Sequence, residues 1–226
     1  MAGRVDLRAL YGVLGLIAVG GAVAMWMASR GAGAGTQIID APVPVGTAGS
    51  AGYVMGSESA PVEVVEYADF MCGACGVFSI LSEPDIRQRL VAPGLIRFRF
   101  RGFPLHQESL LPHHAAECAG EQWRFWEMHD QLMQNQSRWA TNDRPLGTFR
   151  EYAEAIGLDM RAYQACMDEG RYAAQLLATR DELAALNINS TPTFDIGKYR
   201  VVGAIPYDSV RTLVDLAIAA ATEPGS

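Results

Sequence analysis

The chain has 226 residues, half of them hydrophobic, and a formal net charge of −7. This acidic balance argues against a nucleic-acid partner, because binding to a phosphate backbone depends on clustered Lys and Arg. The length is enough for one sizeable domain with additional segments.

The first predicted element is a membrane span. Residues 9–28 are uncharged and mostly apolar, and about twenty such residues cross a bilayer as a helix. We therefore predict an N-terminal signal-anchor with one transmembrane helix within residues 1–30. Arg4 and Arg8 precede the span, which places the following residues on the extracytoplasmic side of the cell membrane. Cleavage as a signal peptide is the alternative, although the apolar core of such a peptide is usually shorter, about 7–15 residues.

A flexible linker and a folded domain follow the predicted span. Residues 31–52 are rich in Gly, Ala, Pro and Thr, a composition typical of a flexible tether. We predict that residues 53–226 form the domain. It begins with a strand at about 62–67, then a helix that runs to about residue 90, and a strand at 95–101 in which apolar residues and arginines alternate.

The second half of the predicted domain is a block of helices followed by a hairpin. The apolar pattern is helical from about residue 106 to 186. A strand at 191–196 then turns tightly into a strand at 199–202, and a helix over 207–221 ends the domain. This order favours an α/β fold with one sheet and a helical insertion.

The most informative motif is Cys72-Gly73-Ala74-Cys75, which lies where the first predicted strand gives way to a helix. Helical spacing places both sulfurs on one face. Cys72 lies at the helix N-terminus, where unpaired N–H groups and the helix dipole stabilise a thiolate. Because the thiolate attacks in thiol–disulfide exchange, the motif predicts a redox-active pair.

Two other functions of this motif stay open at this point. It could be half of a zinc site, but zinc needs a second pair of ligands at suitable spacing, and Cys118 and Cys166 are far apart while the four histidines are scattered. We therefore expect no metal. The motif could also form a purely structural bridge, although so small a ring at a helix start is strained.

A longer series of residues resembles the DsbA-like branch of the thioredoxin superfamily. The resemblance covers about residues 53–221 and implies a thioredoxin-like core interrupted by a helical domain, with no cofactor. The residues that carry it are Glu66 to Cys75, Phe103-Pro104-Leu105, Ala115 to Ala119, Phe125 to Asp130 and Ser190 to Phe194.

The resemblance implies a role for each matching residue. Cys72 matches the exposed nucleophile that forms a mixed disulfide with the substrate, and Cys75 the buried resolving thiol. Thr191-Pro192 matches a loop that faces these cysteines, has a cis proline and pairs with an extended substrate peptide. Without the motif, an ordinary turn would be the simpler interpretation of Thr191-Pro192.

Glu66 matches the buried carboxylate that lies beneath the disulfide in this family. A buried acid with a raised pKa can relay the proton of the resolving thiol. The alternative is that Glu66 lies on an exposed strand face, since Glu63 and Asp69 are acids nearby.

Cys118 and Cys166 fall on two different predicted helices of the insertion. In an extracytoplasmic domain a second cysteine pair predicts a structural disulfide, and some members of the family have one. A second redox pair and two free buried thiols are the alternatives.

The favoured function is that of an oxidase that introduces disulfides into exported proteins through Cys72 and Cys75. The implied partners are unfolded or reduced exported proteins and a membrane redox protein of the DsbB or vitamin K epoxide reductase type. Gly73-Ala74 lacks the histidine of strongly oxidising members, so we expect a reduction potential between about −120 and −270 mV. The alternatives are a reductase, an isomerase and a tethered holdase. An isomerase usually needs a dimerisation module, and residues 31–52 are too short to form one.

Overall fold

The computed structural model describes residues 37–40 and 52–222. The predicted membrane span at 9–28 and most of the predicted linker lie outside the described residues. Among the described residues, no helix combines the length and the apolar character that crossing a membrane requires.

A six-stranded sheet forms the centre of the fold, in the order β1-β6-β5-β3-β4-β2. Only β3 and β4 are parallel, and the other neighbours are antiparallel. A parallel pair needs a crossover, which helices provide here. The strands are β1 Gln37–Asp40, β2 Tyr53–Met55, β3 Val62–Ala68, β4 Ile96–Gly102, β5 Thr193–Ile196 and β6 Tyr199–Val202.

Nine α-helices surround this sheet in the described part of the chain. They are α1 Gly73–Leu81, α2 Glu83–Ile86, α3 Leu110–Gly120, α4 Phe125–Gln134, α5 Gln136–Trp139, α6 Leu146–Ala155, α7 Met160–Glu169, α8 Ala173–Ala185 and α9 Tyr207–Thr222. Helices α3 to α8 all lie between β4 and β5 in the chain. The predicted α/β fold, a thioredoxin-like core with a helical insertion, is confirmed.

Two details of the fold differ from the sequence prediction. Residues 37–40 lie in the segment predicted to be a flexible linker, but they pair with β6 as the edge strand β1. The predicted single helix before β4 is broken at Ser82: α1 ends there, Pro84 opens α2, and a π-helical turn, Arg87–Val91, follows. The break has a physical reason, since proline has no N–H to continue a helical ladder but suits a first turn.

The buried residues form two large clusters that differ in what they join. One lies around β3, α1 and α9 and includes Val64, Phe98 and Phe194. The other joins Phe70 and Cys75, beside the end of β3, to α3, α4, α6 and α7 of the insertion. The insertion therefore packs directly against the segment that carries the cysteine motif.

Cys118 of α3 and Cys166 of α7 are joined by a disulfide that links two helices of the insertion. The S–S distance is 1.99 Å, the Cα–Cα distance is 5.8 Å, and both residues are fully buried. A ring nitrogen of His114, Nε2, lies 3.0 Å from the carbonyl oxygen of Cys166.

Removing this disulfide by the double change Cys118→Ala and Cys166→Ala is expected to lower the free energy of unfolding by roughly 3–4 kcal/mol. The reason is that the bridge closes a separation of 48 residues and restricts the unfolded chain. Urea unfolding of the variant and the parent protein measures the difference, and a loss below about 1 kcal/mol would contradict it.

Candidate active site

The cysteine motif lies at the N-terminus of α1, directly after the carboxyl end of β3. Cys72 is the N-cap residue with extended backbone (φ −77°, ψ 117°), and Cys75 is in the first turn. The backbone N–H of Cys72 donates to the carbonyl oxygen of Asp69 at 2.9 Å. Cys72 is partly exposed, whereas Cys75 is fully buried. One sulfur can therefore meet a substrate while the other is shielded from it.

The loop before β5 faces this pair of cysteines. The Thr191–Pro192 peptide bond is cis. The sulfur of Cys72 lies 3.3 Å from the carbonyl oxygen of Thr191, to which it donates a hydrogen bond when it is protonated. Pro192 is buried. The structure thus brings together the motif and the dipeptide that the sequence singled out, although 119 positions separate Cys72 from Thr191.

The two cysteines have pKa values shifted in opposite directions. A hydrogen bond from the thiol of Cys75 lowers the pKa of Cys72 to about 6, helped by the backbone N–H groups of Ala74 and Cys75 and opposed by partial burial. Burial raises the pKa of Cys75 well above its ordinary value, and the neighbouring Cys72 raises it further. At neutral pH, Cys72 is a thiolate that can attack, and Cys75 keeps its proton.

Glu66 lies on β3 beneath the cysteines and is only 1% exposed. Burial raises its pKa well above the ordinary value, and the carboxylate of Glu83 raises it further, while Arg87 acts in the opposite direction. Glu66 and the cysteines influence each other: the charge of Glu66 raises the pKa of Cys75. A protonated carboxyl near Cys75 can supply a proton when that residue leaves as a thiolate.

The other two acids that the sequence offered in place of Glu66 have different surroundings. Glu63 is partly exposed and pairs with Arg97 and Arg99 of β4. Asp69 is buried beside the cysteine motif, but its carboxylate accepts hydrogen bonds from nearby loop residues. Only Glu66 combines full burial with a raised pKa among these three.

Asp69 holds the loop before Cys72 in place, a role that sequence analysis missed. Its carboxylate accepts from the N–H of Met71 (2.9 Å), the N–H of Leu105 (3.0 Å) and the hydroxyl of Ser109 (2.7 Å). Burial would raise the pKa of Asp69. The His113 ring, whose Nε2 lies 3.5 Å from Oδ1, and the hydrogen bonds from Met71 and Ser109 outweigh burial and lower this pKa. The segment after β4 is thereby tied to the cysteine loop.

A partly buried charged cluster next to Glu66 was also missed. Arg87 Nη2 lies 2.6 Å from Glu83 Oε1 and 2.7 Å from Asp130 Oδ1, and His129 Nδ1 lies 2.9 Å from the same Asp130 oxygen. Glu83 is 1% exposed. The i,i+4 spacing of Glu83 and Arg87 was the only signal in the sequence.

Two groups of three potential metal ligands occur within the described residues. One is His114 with the two sulfurs of the Cys118–Cys166 disulfide, which are bonded to each other. The other is Glu83, His129 and Asp130, and the guanidinium of Arg87 already pairs with both of its carboxylates. Neither group therefore offers a free ligand set in this state.

Comparison with known sequences identifies the family to which the chain belongs. A family model described as Thioredoxin matches residues 49–216. Disulfide bond formation protein D of Bacillus subtilis is 25% identical over 172 residues, which cover 72% of this chain and 75% of that protein. The Na(+)/H(+) antiporter NhaA 3 of Salinispora tropica is 35% identical over 192 residues, 84% of this chain. The chain spans only 28% of the length of that antiporter.

Solved structures share the fold. The oxidised BdbD of Bacillus subtilis superposes with a TM-score of 0.67 at 24% identity, covering 74% of this chain and 92% of that structure. The α-DsbA1 of Wolbachia pipientis superposes with a TM-score of 0.69 at 20% identity, covering 80% and 94%. At these identities the likeness concerns the arrangement of helices and strands.

Proposed function

We propose that this protein is an oxidase of exported proteins. The proposal starts from its family: the chain belongs to the thioredoxin family and, within it, to the DsbA-like thiol:disulfide oxidoreductases. The observation that carries the proposal is the placement of the pair at the start of α1, with Cys72 partly exposed as the N-cap residue and Cys75 fully buried. This placement lowers the pKa of Cys72 and raises that of Cys75. A stabilised Cys72 thiolate favours the reduced form of the pair, and a pair with a favoured reduced form is an oxidant.

The reaction begins with the Cys72–Cys75 disulfide. A substrate thiolate attacks the sulfur of Cys72, and Cys75 leaves as a thiolate that takes a proton from Glu66. A second substrate thiolate then attacks the substrate sulfur of the mixed disulfide, and Cys72 leaves as a thiolate. Two substrate thiols become a disulfide and the cysteine pair receives the two electrons. The low pKa of Cys72 makes it a good leaving group in the second step.

Substrate binding is assigned to Thr191 and Pro192. Their backbone lies beside the sulfur of Cys72, and proline has no N–H to compete for that sulfur. An extended segment of an unfolded exported protein would pair with the backbone at Thr191, in the manner of an added strand.

The proposed location is the extracytoplasmic side of the cell membrane, with the chain anchored by one helix within residues 1–30. The support is the uncharged, apolar composition of residues 9–28 and the need for an oxidant to restore the disulfide. A membrane partner of the DsbB or vitamin K epoxide reductase type would take the two electrons from Cys72 and Cys75.

Thiol trapping in the native cells tests this proposal. Acid quenching followed by alkylation and peptide mass spectrometry reports the state of Cys72 and Cys75 without altering the Cys118–Cys166 bridge. We expect mostly disulfide at steady state. Mostly free thiols would overturn the oxidase proposal in favour of a reductase or an isomerase. A Cys72→Ala variant that keeps full function in cells would instead indicate a holdase.

A further inference from the structure

Gln136, the first residue of α5 in the helical insertion, contacts the loop that presents the nucleophile. Its side-chain amide Nε2 donates to the carbonyl oxygen of Phe70 at 2.7 Å and to that of Cys72 at 3.0 Å. Both acceptors are backbone atoms, so this contact acts on the course of the chain into α1. We call this pair of hydrogen bonds the Gln136 clamp.

We propose that Gln136 is a positioning residue through which the helical insertion sets the reactivity of Cys72. The inference rests on the proposed function in one respect, the assignment of Cys72 as nucleophile. The carbonyl oxygen of Cys72 also accepts from the N–H of Gly76 at 3.1 Å, which is the first hydrogen bond of α1. The clamp therefore fixes the Cys72–Gly73 peptide. This peptide directly precedes the two whose N–H groups, those of Ala74 and Cys75, lower the pKa of Cys72.

Gly76 is the residue that makes room for the clamp. A Cβ at this position would overlap the amide of Gln136, with the side-chain Cδ only 2.7 Å away. Gly76 lies within α1, where glycine costs about 1 kcal/mol relative to alanine. Because the overlapping atoms are the end of a flexible side chain, alanine at position 76 would displace the amide and spare the backbone.

The first test is the pKa of Cys72 in the reduced full chain, measured by the pH dependence of its alkylation. Gln136→Ala is expected to raise this pKa by about one unit, from about 6 towards 7. At pH 7 such a rise in the pKa of Cys72 weakens the stabilisation of the reduced pair. The equilibrium constant for its reaction with oxidised glutathione should then shift about fivefold towards the protein disulfide. Gln134→Ala is the matched control, since Gln134 is an exposed glutamine two residues earlier, and it should change neither quantity.

A double-mutant cycle with Gly76→Ala separates positioning from folding. Gly76→Ala alone should raise the pKa of Cys72 about as much as Gln136→Ala does, although it keeps every side chain of the insertion. In the Gln136→Ala background it should add nothing, because the clamp is already gone. Gln136→Glu, which keeps the shape but loses the donor when ionised, should raise the pKa at least as far as Gln136→Ala.

An unchanged Cys72 pKa in Gln136→Ala would overturn the inference. It would also be overturned if the pKa shifts of Gln136→Ala and Gly76→Ala added up in the double variant. A loss of thermal stability alone, with the pKa unchanged, also overturns it. Both readouts use purified protein, so they stand apart from the trapping experiment in cells. A pair found reduced in cells would reject the oxidase proposal and leave the clamp intact.

Discussion

Replacing Cys75 by alanine is expected to turn the protein into a covalent trap for its substrates. Cys72 keeps its exposure and its access to the loop at Thr191, so its thiolate still attacks the disulfide of an oxidised substrate protein. One substrate sulfur then stays bonded to Cys72 and the other leaves as a thiolate. The buried thiol that would release the substrate from within the protein is gone, and only an external thiol can then break the bond. Mixed-disulfide adducts with substrate proteins should rise at least tenfold above those of the parent chain, as seen on non-reducing gels and by mass spectrometry.

The matched control is Cys72→Ala, which keeps Cys75. Cys75 is fully buried and burial raises its pKa, so this variant should form almost no adducts. The Cys118–Cys166 bridge is the same in both variants. Equal amounts of adduct in the two variants would show that Cys72 is not the nucleophile.

Local sequence signals were sufficient to locate the central site. Cys72 and Cys75 are three residues apart at a predicted strand-to-helix boundary. This spacing places them at the start of α1, because few backbone arrangements are possible at the N-terminus of a helix. The resemblance added Glu66 and Thr191-Pro192, which the fold brings beside the cysteines through the pairing of β3 with β5. These roles stay predictions until variants are measured.

The surroundings of the site could not be predicted, because they depend on contacts between distant parts of the chain. Arg87 pairs with Asp130, 43 positions away, and Gln136 reaches the carbonyl oxygen of Cys72 across 64 positions. A polar residue in a short helix carries no periodic signal that distinguishes it from its exposed neighbours. The strand β1 could not be predicted either. It pairs with β6 through backbone N–H and C=O groups, which a segment has whatever its amino-acid composition.

The stability of the reduced protein is expected to increase relative to that of the oxidised protein as the pH rises from about 6 to 8.5. The pKa of Cys72 is about 6 in the folded chain and about 8.5 in an unfolded one. For an acid with a depressed folded pKa, the stabilisation is complete above the unfolded value and is lost as the pH falls through the folded value. The oxidised form has no Cys72 thiol, so it lacks this dependence.

The size and the upper limit of this effect follow from the two cysteines. The pKa of Cys72 differs by about 2.5 units between the unfolded and the folded chain, which corresponds to about 3.4 kcal/mol of stabilisation as an upper limit. We expect about 2 kcal/mol, because Cys72 is partly exposed to solvent, which screens the interaction. The raised pKa of Cys75 acts in the opposite sense. Above about pH 8.5 the folded reduced chain keeps a proton that the unfolded chain loses, so the gain should level off and then decline.

Guanidinium unfolding of both redox forms at pH 5, 7 and 8.5 measures this difference. The stability of the reduced form should rise by about 2 kcal/mol relative to that of the oxidised form between pH 5 and 8.5. Cys72→Ser has no titrating thiol at this position and cannot form the disulfide, so it should show no such rise relative to the oxidised parent chain. A gain that persists in Cys72→Ser would assign the pH dependence to another group. A gain below about 0.5 kcal/mol in the parent chain would remove the thermodynamic basis for an oxidase, since the stabilised thiolate is what makes the reduced pair the favoured product.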